Sequence, residues 1–180
     1  MRITPTKDKV GGFELPPEGI WEATVQVVEE TFRNEEERAE FDALSPAERK
    51  KTPVNRIRVQ FALLEGEGEG LPVSHFFSLR GRKGMADLLK LLYVTGVHKA
   101  IEKKYGLPSI EEGWEDNVIR SRKMLNELST SLVGATCKVE IEHIERDDRV
   151  FANIVDFLEG GSAPPKVESG GEEGEEDEGW

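Results

Sequence analysis

Five segments of the chain alternate between apolar and polar residues, and this alternation limits the fold more than any other feature. They cover residues 20–30, 55–64, 73–79, 135–144 and 150–157. In the first, Trp21, Ala23, Val25 and Val27 alternate with polar residues. Because successive side chains of a strand point to opposite faces, a period of two is typical of a strand with one buried face. The sequence therefore predicts five half-buried strands.

Other segments connect these strands. Residues 33–51 are charged and helix-prone, and Ser45 followed by Pro46 is typical of a helix start, because serine caps a helix and proline suits its first turn. Residues 84–132 contain three further helical stretches, the first with a leucine stripe at residues 88–92. We interpret residues 31–53 and 84–132 as helical insertions. The glycines at positions 66, 68 and 70 predict a flexible, solvated hairpin loop.

The resulting order is strand, helical insertion, strand, strand, helices, strand, strand. This is the layout of an OB-fold, a five-stranded Greek-key barrel whose second and third strands commonly face oligonucleotides. Other five-stranded mixed folds fit the order nearly as well. The favoured prediction is a mainly β, OB-fold-like barrel over residues 1–159, with the two helical insertions, because a chain of this length can bury one sizeable core.

The net charge of −12 is distributed unevenly. Residues 160–180 carry −6 and are rich in Gly, Ser, Pro and Glu, which predicts a disordered acidic tail. Residues 1–48 sum to −7 and residues 124–159 to −5, whereas residues 49–123 sum to +6. A basic central segment, which includes the second and third predicted strands, therefore lies within an acidic chain.

Residues that could support catalysis are sparse. His75, His98 and His143 lack the spacing of metal ligands, and no phosphate-binding loop motif occurs. A single cysteine, Cys137, excludes an internal disulfide and is interpreted as a small buried residue. We therefore predict no catalytic residue, no metal site and no cofactor.

Targeting signals are also not recognised in this sequence. No apolar run approaches the roughly 20 residues of a membrane span, and the first ten residues lack the apolar core of a signal peptide. We expect a soluble, cytoplasmic protein without a membrane partner.

Cations and one aromatic residue cluster on the second and third predicted strands. Arg56 and Arg58 alternate with apolar residues, and Phe76 falls on the polar face of the next strand. Cations that follow a phosphate backbone, together with a ring on which a base stacks, are what single-stranded nucleic-acid binding requires. The candidate DNA-binding residues are Arg56, Arg58, Phe76, Arg80, Arg82 and Lys83.

Two readings of this cluster stay open at this point. The arginines could merely solubilise an exposed strand while Phe76 packs under the insertion. In addition, a slip of one residue in the strand register would bury Phe76 and expose Phe77 instead.

The end of the chain carries a second signal. Its last nine residues contain six acids and finish in tryptophan. A mobile anionic segment with one large apolar anchor is typical of a docking peptide, because charge steers it and the indole fixes it. Asp177, Glu178 and Trp180 are therefore the candidate partner-binding residues, and the same polyanion could occupy the basic strands when DNA is absent.

Together these features resemble a known class. The Leu-Pro-Pro-Glu-Gly opening at residues 15–19, the strand pattern over residues 20–79, the closing strands up to residue 157 and the acidic tail make the chain similar to bacteriophage-type and bacterial single-stranded DNA-binding proteins. Those proteins usually end in Phe, where this chain ends in Trp180. The resemblance extends to an uncharacterised phage family.

The resemblance implies a non-catalytic barrel that coats single-stranded DNA during replication, recombination or repair, in a bacterium or a phage-infected host cell. It implies that the tail recruits a polymerase, helicase, nuclease or recombinase. It assigns the tail role to Asp177, Glu178 and Trp180, and the DNA-facing role to the six strand and helix residues named above. A homo-oligomer is compatible with it, and the site size stays open.

Three alternatives remain from the sequence. The chain could be an acidic DNA mimic that inhibits, or an adaptor that serves, a DNA-processing enzyme. It could be an enzyme that uses carboxylates such as Glu140, Glu142 and Asp156 with a divalent ion. The nucleic acid could also be RNA, because stacking and phosphate contacts do not distinguish the two.

Overall fold

The computed structural model describes residues 9–10 and 13–160. Within these residues the five predicted strands form one antiparallel sheet, and two short strands before them form a separate two-stranded sheet. The strands are β1 Lys9–Val10, β2 Phe13–Glu14, β3 Gly19–Glu30, β4 Arg56–Leu63, β5 Pro72–Ser78, β6 Thr136–Arg146 and β7 Arg149–Leu158. The order of the five long strands across the sheet is β5-β4-β3-β6-β7.

Helices occupy both predicted insertions. α1 Glu35–Asp42 and α2 Pro46–Lys51 connect β3 to β4, and Ser45 caps α2 in a capping box. Between β5 and β6 lie α3 Arg82–Thr95, α4 Val97–Tyr105, a 3₁₀ turn Ile110–Glu112, α5 Asp116–Ile119 and α6 Arg122–Ser131. Helices and strands take similar shares of the described chain. The prediction of a mainly β fold is therefore corrected to a mixture of sheet and helix.

The last predicted helix is two helices, α5 and α6. The chain leaves the helical conformation at Arg120, whose guanidinium donates to the carbonyl oxygen of Val54 at 3.1 Å. Ser121 then caps α6 by accepting a hydrogen bond from the backbone N–H of Met124 at 3.1 Å. The break anchors this helical region to the residues just before β4.

The sheet curls but does not close into the predicted barrel. Its two edge strands, β5 and β7, bring Cα atoms within 8 Å of each other, yet they are not hydrogen-bonded neighbours in the sheet. Side chains fill the space between them: the rings of Phe77 and Phe157 stack with centroids 5.8 Å apart, and His75 meets Phe157 at 5.3 Å. We call this line between β5 and β7 the seam. It leaves the sheet open.

The inner face of the sheet and the buried sides of α3, α4 and α6 form the core. Phe61, Phe77 and Val139 are fully buried there, and Leu88 and Leu91 of α3 are buried with them. Alternation predicts these inward positions correctly because every second strand residue faces the helices. Burial of this continuous apolar cluster makes the largest favourable contribution to the free energy of folding.

One inward assignment in β3 is wrong. The pairing of β3 with β4 shifts between Val25 and Val27, which marks a bulge. An extra residue at a bulge reverses which side chains face inward beyond it. Val28 is consequently buried opposite Val59, whereas Val27 is only partly buried.

The glycine-rich loop between β4 and β5 is largely exposed, as predicted, but two of its glycines approach the body of the protein closely. Gly66, at φ +77°, lies so close to Trp21 that a Cβ atom there would be 2.5 Å from the indole ring. Gly68 is buried beside Pro17. The indole N–H of Trp21 donates to the carbonyl oxygen of Pro17 at 2.9 Å. The loop therefore covers one end of the sheet.

Cys137 is buried in the core, as predicted, and burial raises the pKa of its thiol to about 12. Over residues 9–10 and 13–160, no cluster of three or more His, Cys, Asp or Glu side chains is arranged to hold a metal ion. In the same part of the chain, no helix combines the length and the apolar character needed to cross a bilayer.

Candidate nucleic-acid interface

The outer face of β4 and β5 presents a ring beside cations. Antiparallel pairing places Arg58 opposite Phe76 and Arg56 opposite Ser78, all on the side of the sheet away from the core. Phe76 is 44% exposed, whereas Phe77 is completely buried. The register therefore presents Phe76, and not Phe77, to solvent.

Arg56 and Phe76 form a cation–π pair. The guanidinium carbon of Arg56 lies 4.5 Å from the centroid of the Phe76 ring, within the range of such contacts. No ion-pair partner of Arg56 lies within 4 Å in the described part of the chain. An exposed ring with an unneutralised cation beside it can stack a base and attract its phosphate.

Arg58 is held more firmly than Arg56. Its Nε donates to Oε2 of Glu29 on β3 at 2.8 Å, and its Nη1 donates to Gln60 at 3.0 Å and to the Ser74 hydroxyl at 2.8 Å. These bonds fix the guanidinium flat against the sheet. Glu29 partly neutralises its charge, which the sequence did not indicate because the two residues are 29 positions apart.

Arg80 lies two residues after the end of β5 and contacts α1 of the insertion. Its Nη2 lies 3.3 Å from Oε2 of Glu37, whose other oxygen accepts a hydrogen bond from the backbone N–H of Arg33 at 3.1 Å. That hydrogen bond, followed by the nearby charges of Arg80, Arg33 and Arg56, holds the pKa of Glu37 below its ordinary value, against an opposing effect of burial. Sequence reasoning missed Arg33 and Glu37, although their spacing of four at a helix start was a usable signal.

Arg82 and Lys83 lie in the first turn of α3, at the end of the same face. Lys83 extends into solvent with its side chain 89% exposed, and its ammonium lies 3.0 Å from Oδ2 of Asp87. Arg82 has no ion-pair partner within 4 Å in the part of the chain that the structure describes. The structure thus places three predicted residues on the sheet and three at its exit into α3.

A groove runs along the outside of the seam, bounded by β5, the start of α3 and β7, with a volume of about 580 Å³. Phe76 and Lys83 line one side of it. On the other side, Lys90 of α3 contacts Oδ1 of Asp156 at 2.5 Å, and this contact lowers the pKa of the Asp156 carboxyl. Burial lowers the pKa of His75, which also lines the groove, so this imidazole is neutral near pH 7. The groove continues the exposed Phe76 surface toward β7.

The three carboxylates considered for catalysis lie on the paired strands β6 and β7. Glu140 lies opposite Asp156 and Glu142 opposite Asn153 along β6 and β7. Asp156 is engaged by Lys90 and by its own neighbour, because it also accepts the backbone N–H of Phe157 at 2.9 Å. This arrangement is the one expected of polar side chains on the surface of two paired strands.

A separate polar cluster joins α4 to α6. Glu127 accepts hydrogen bonds from Lys104 at 2.8 Å, from the Tyr105 hydroxyl at 2.7 Å and from Ser131. These bonds, led by that from Lys104, lower the pKa of Glu127 to about 2. Because these side chains bond to one another, the cluster holds α4 and α6 together.

The predicted partner-binding residues lie outside the described residues. Asp177, Glu178 and Trp180 belong to residues 161–180, so their role stays a prediction. No protein-family model matches the chain, and no curated protein shows significant similarity to it. A function for this chain is therefore inferred from the residues and the geometry of the outer face of β4 and β5.

Proposed function

We propose that this chain is a non-catalytic single-stranded DNA-binding protein with an OB-like Greek-key fold. The strand order β5-β4-β3-β6-β7 supports the fold, because it is the order of such a barrel opened between its third and fifth strands. Two antiparallel pairings separate β5 from β3, and two more separate β3 from β7, so the two edge strands run in the same direction, as that topology requires.

The observation that carries the proposal is the Arg56 and Phe76 pair on the outer face of β4 and β5. The Arg56 guanidinium lies 4.5 Å from the centre of the exposed Phe76 ring. At this distance the cation can attract the phosphate of a nucleotide while the ring stacks on the base of the same nucleotide. Arg58, Arg80, Arg82 and Lys83 extend the positive surface on either side. A coating role in replication or recombination, with partners recruited by the tail, follows from the resemblance described above.

Titration of the full chain against fluorescent oligo-dT at low salt tests the proposal. We expect binding that weakens with salt, with a slope of log K against log salt of about −1.4 to −3.5, because two to five phosphate contacts each contribute about −0.7 on single strands. Duplex DNA should bind more weakly, and oligo-U reports whether RNA is also a ligand. Absence of oligo-dT binding would overturn the proposal, and competition with DNA for a DNA-processing enzyme would then favour the DNA-mimic alternative.

Removal of the acidic tail tests the partner role. A chain ending at Gly160 lacks a segment of charge −6 but retains the whole described core. We expect its affinity for oligo-dT to be equal to or higher than that of the full chain, because a polyanion no longer competes for the cations. Pull-down of replication or recombination proteins should be lost. Weaker DNA binding after truncation would contradict this role.

A further inference from the structure

Glu37 occupies an unusual position for a carboxylate on an exposed helix. Its side chain is only 14% exposed, although α1 itself contains no fully buried residue. Its two oxygens receive the Arg33 backbone N–H at 3.1 Å and face the guanidinium groups of Arg80 at 3.3 Å and Arg33 at 3.8 Å. The carboxylate thus sits among donors that would suit any small anion.

Arg56 lies next to the segments that carry Arg33 and Arg80. Its carbonyl oxygen accepts the backbone N–H of Thr31 at 3.0 Å, two residues before Arg33, and it pairs with Ser78, two residues before Arg80. Because the Arg56 guanidinium lies over the Phe76 ring, the anion position at Glu37 is close to the exposed ring. In a nucleic acid, each phosphate is likewise followed within one nucleotide by a base that can stack.

The contacts that hold the insertion in place are mainly polar and aromatic. Arg122 reaches from α6 over the Phe41 ring at 4.5 Å, donates to the carbonyl oxygen of Thr52 at 2.9 Å and pairs with Glu30. Phe32 and Phe41 contact each other with ring centroids 5.4 Å apart. Since α1 and α2 bury no residue fully, the Glu37 side chain can move away without opening the apolar core.

We propose that Arg33 and Arg80, beside Arg56, form a phosphodiester subsite, which Glu37 occupies in the free protein and a backbone phosphate of single-stranded nucleic acid occupies in the complex. This inference rests on the proposed function, since it names a subsite of the same surface. A phosphate oxygen accepts the same charge-assisted hydrogen bonds as a carboxylate oxygen. In a nucleic acid, the neighbouring phosphates of the strand add further negative charge. A single glutamate has no such neighbours.

The replacement of the Glu37 carboxylate by a phosphate depends on the salt concentration and on the number of charges that the ligand carries. Surface ion pairs between arginine and glutamate are weak and screened by salt, whereas a strand engages several cations together. Because the pKa of Glu37 lies below its ordinary value, the carboxylate stays ionised around neutral pH. Glu37 consequently competes with the phosphate and lowers the affinity of the protein for single-stranded nucleic acid.

The test compares Glu37→Gln with Glu36→Gln in the full chain. Both changes remove one negative charge from the first turn of α1, but Glu36 is exposed and has no arginine partner within 4 Å among the described residues. We expect Glu37→Gln to tighten oligo-dT binding about three- to tenfold at low salt, because the competing carboxylate is removed while the phosphate contact is kept. Glu36→Gln should change affinity less than twofold.

A double-mutant cycle with Arg80→Ala identifies the site of the effect. We expect the loss of affinity from Arg80→Ala to be larger in the Glu37→Gln chain than in the wild type, because only there is Arg80 fully available to phosphate. Thermal unfolding of each variant checks folding, and Glu37→Ala provides a second variant. If the two Gln variants bind alike while Phe76→Ala still weakens binding, the subsite inference fails alone. If no variant binds oligo-dT, the proposed function fails as well.

Discussion

Phe76→Ala is expected to weaken binding of oligo-dT about tenfold to a hundredfold without lowering the stability of the fold. Stacking of one base on an aromatic side chain contributes about 1–3 kcal/mol to single-stranded binding. Phe76 is 44% exposed on the outer face of β5, so its ring is available to a base. Its removal also leaves Arg56 without the ring that orients its guanidinium. Fluorescence anisotropy at fixed low salt measures the change.

Phe151→Ala is the matched control for this experiment. Phe151 is also a phenylalanine on an exposed strand surface, with 41% of its area accessible, but it lies on β7 opposite Ile144, on the other edge strand from the Arg56 and Phe76 pair, and does not line the groove. We expect less than a twofold change in affinity. Equal losses in both variants would point to a general loss of exposed apolar surface and would contradict a stacking role for Phe76. Midpoints of thermal unfolding should match those of the wild type within about 2 °C.

Gly84→Ala is expected to lower the free energy of unfolding by about 3 kcal/mol. A Cβ atom at Gly84 in α3 would lie 1.8 Å from the carbonyl oxygen of Ser78, 2.7 Å from its carbonyl carbon and 2.8 Å from its nitrogen. All three are backbone atoms at the end of β5, so relief requires the helix and the strand to separate. Alanine in a helix would otherwise be favoured over glycine by about 1 kcal/mol, and the clash outweighs that gain.

Gly81→Ala is the control for the stability experiment. Gly81 caps α3 at φ −114°, a conformation open to any residue, and an added Cβ there meets no atom within 4 Å. We expect its stability to stay within about 0.5 kcal/mol of the wild type. Urea unfolding followed by tryptophan fluorescence gives both values. Equal midpoints for Gly84→Ala and Gly81→Ala would show that α3 does not approach β5 as closely as the structure indicates.

Much of the fold could be read from local patterns. Alternation located β4 and β5 to within two residues, because half-burial of a strand imposes its period directly on the sequence. Ser45 and Pro46 marked the start of α2 for a similarly local reason, since a cap acts through the backbone N–H groups of its own helix. The outward position of Phe76 followed from the same alternation.

Features that depend on distant residues were not predictable in this way. The bulge at Val25 and Val27 is a property of the pairing between two strands, and it reversed the inward assignment beyond it. The contact of the glycine-rich loop with the body was not predictable either, because nothing local indicates that Gly66 approaches Trp21. The neutralisation of Arg58 by Glu29 likewise joins residues on different strands.

The strands, the two helical insertions, the basic central segment and the acidic end of the chain could all be predicted from the sequence, because each depends on neighbouring residues. Three other features depend on the folded chain: the sheet stays open along the seam, Arg56 lies over Phe76, and Glu37 lies beside Arg80. These are distances between atoms far apart in the chain. They are set by how the sheet curls and how α1 and α3 pack on it, which no local period encodes.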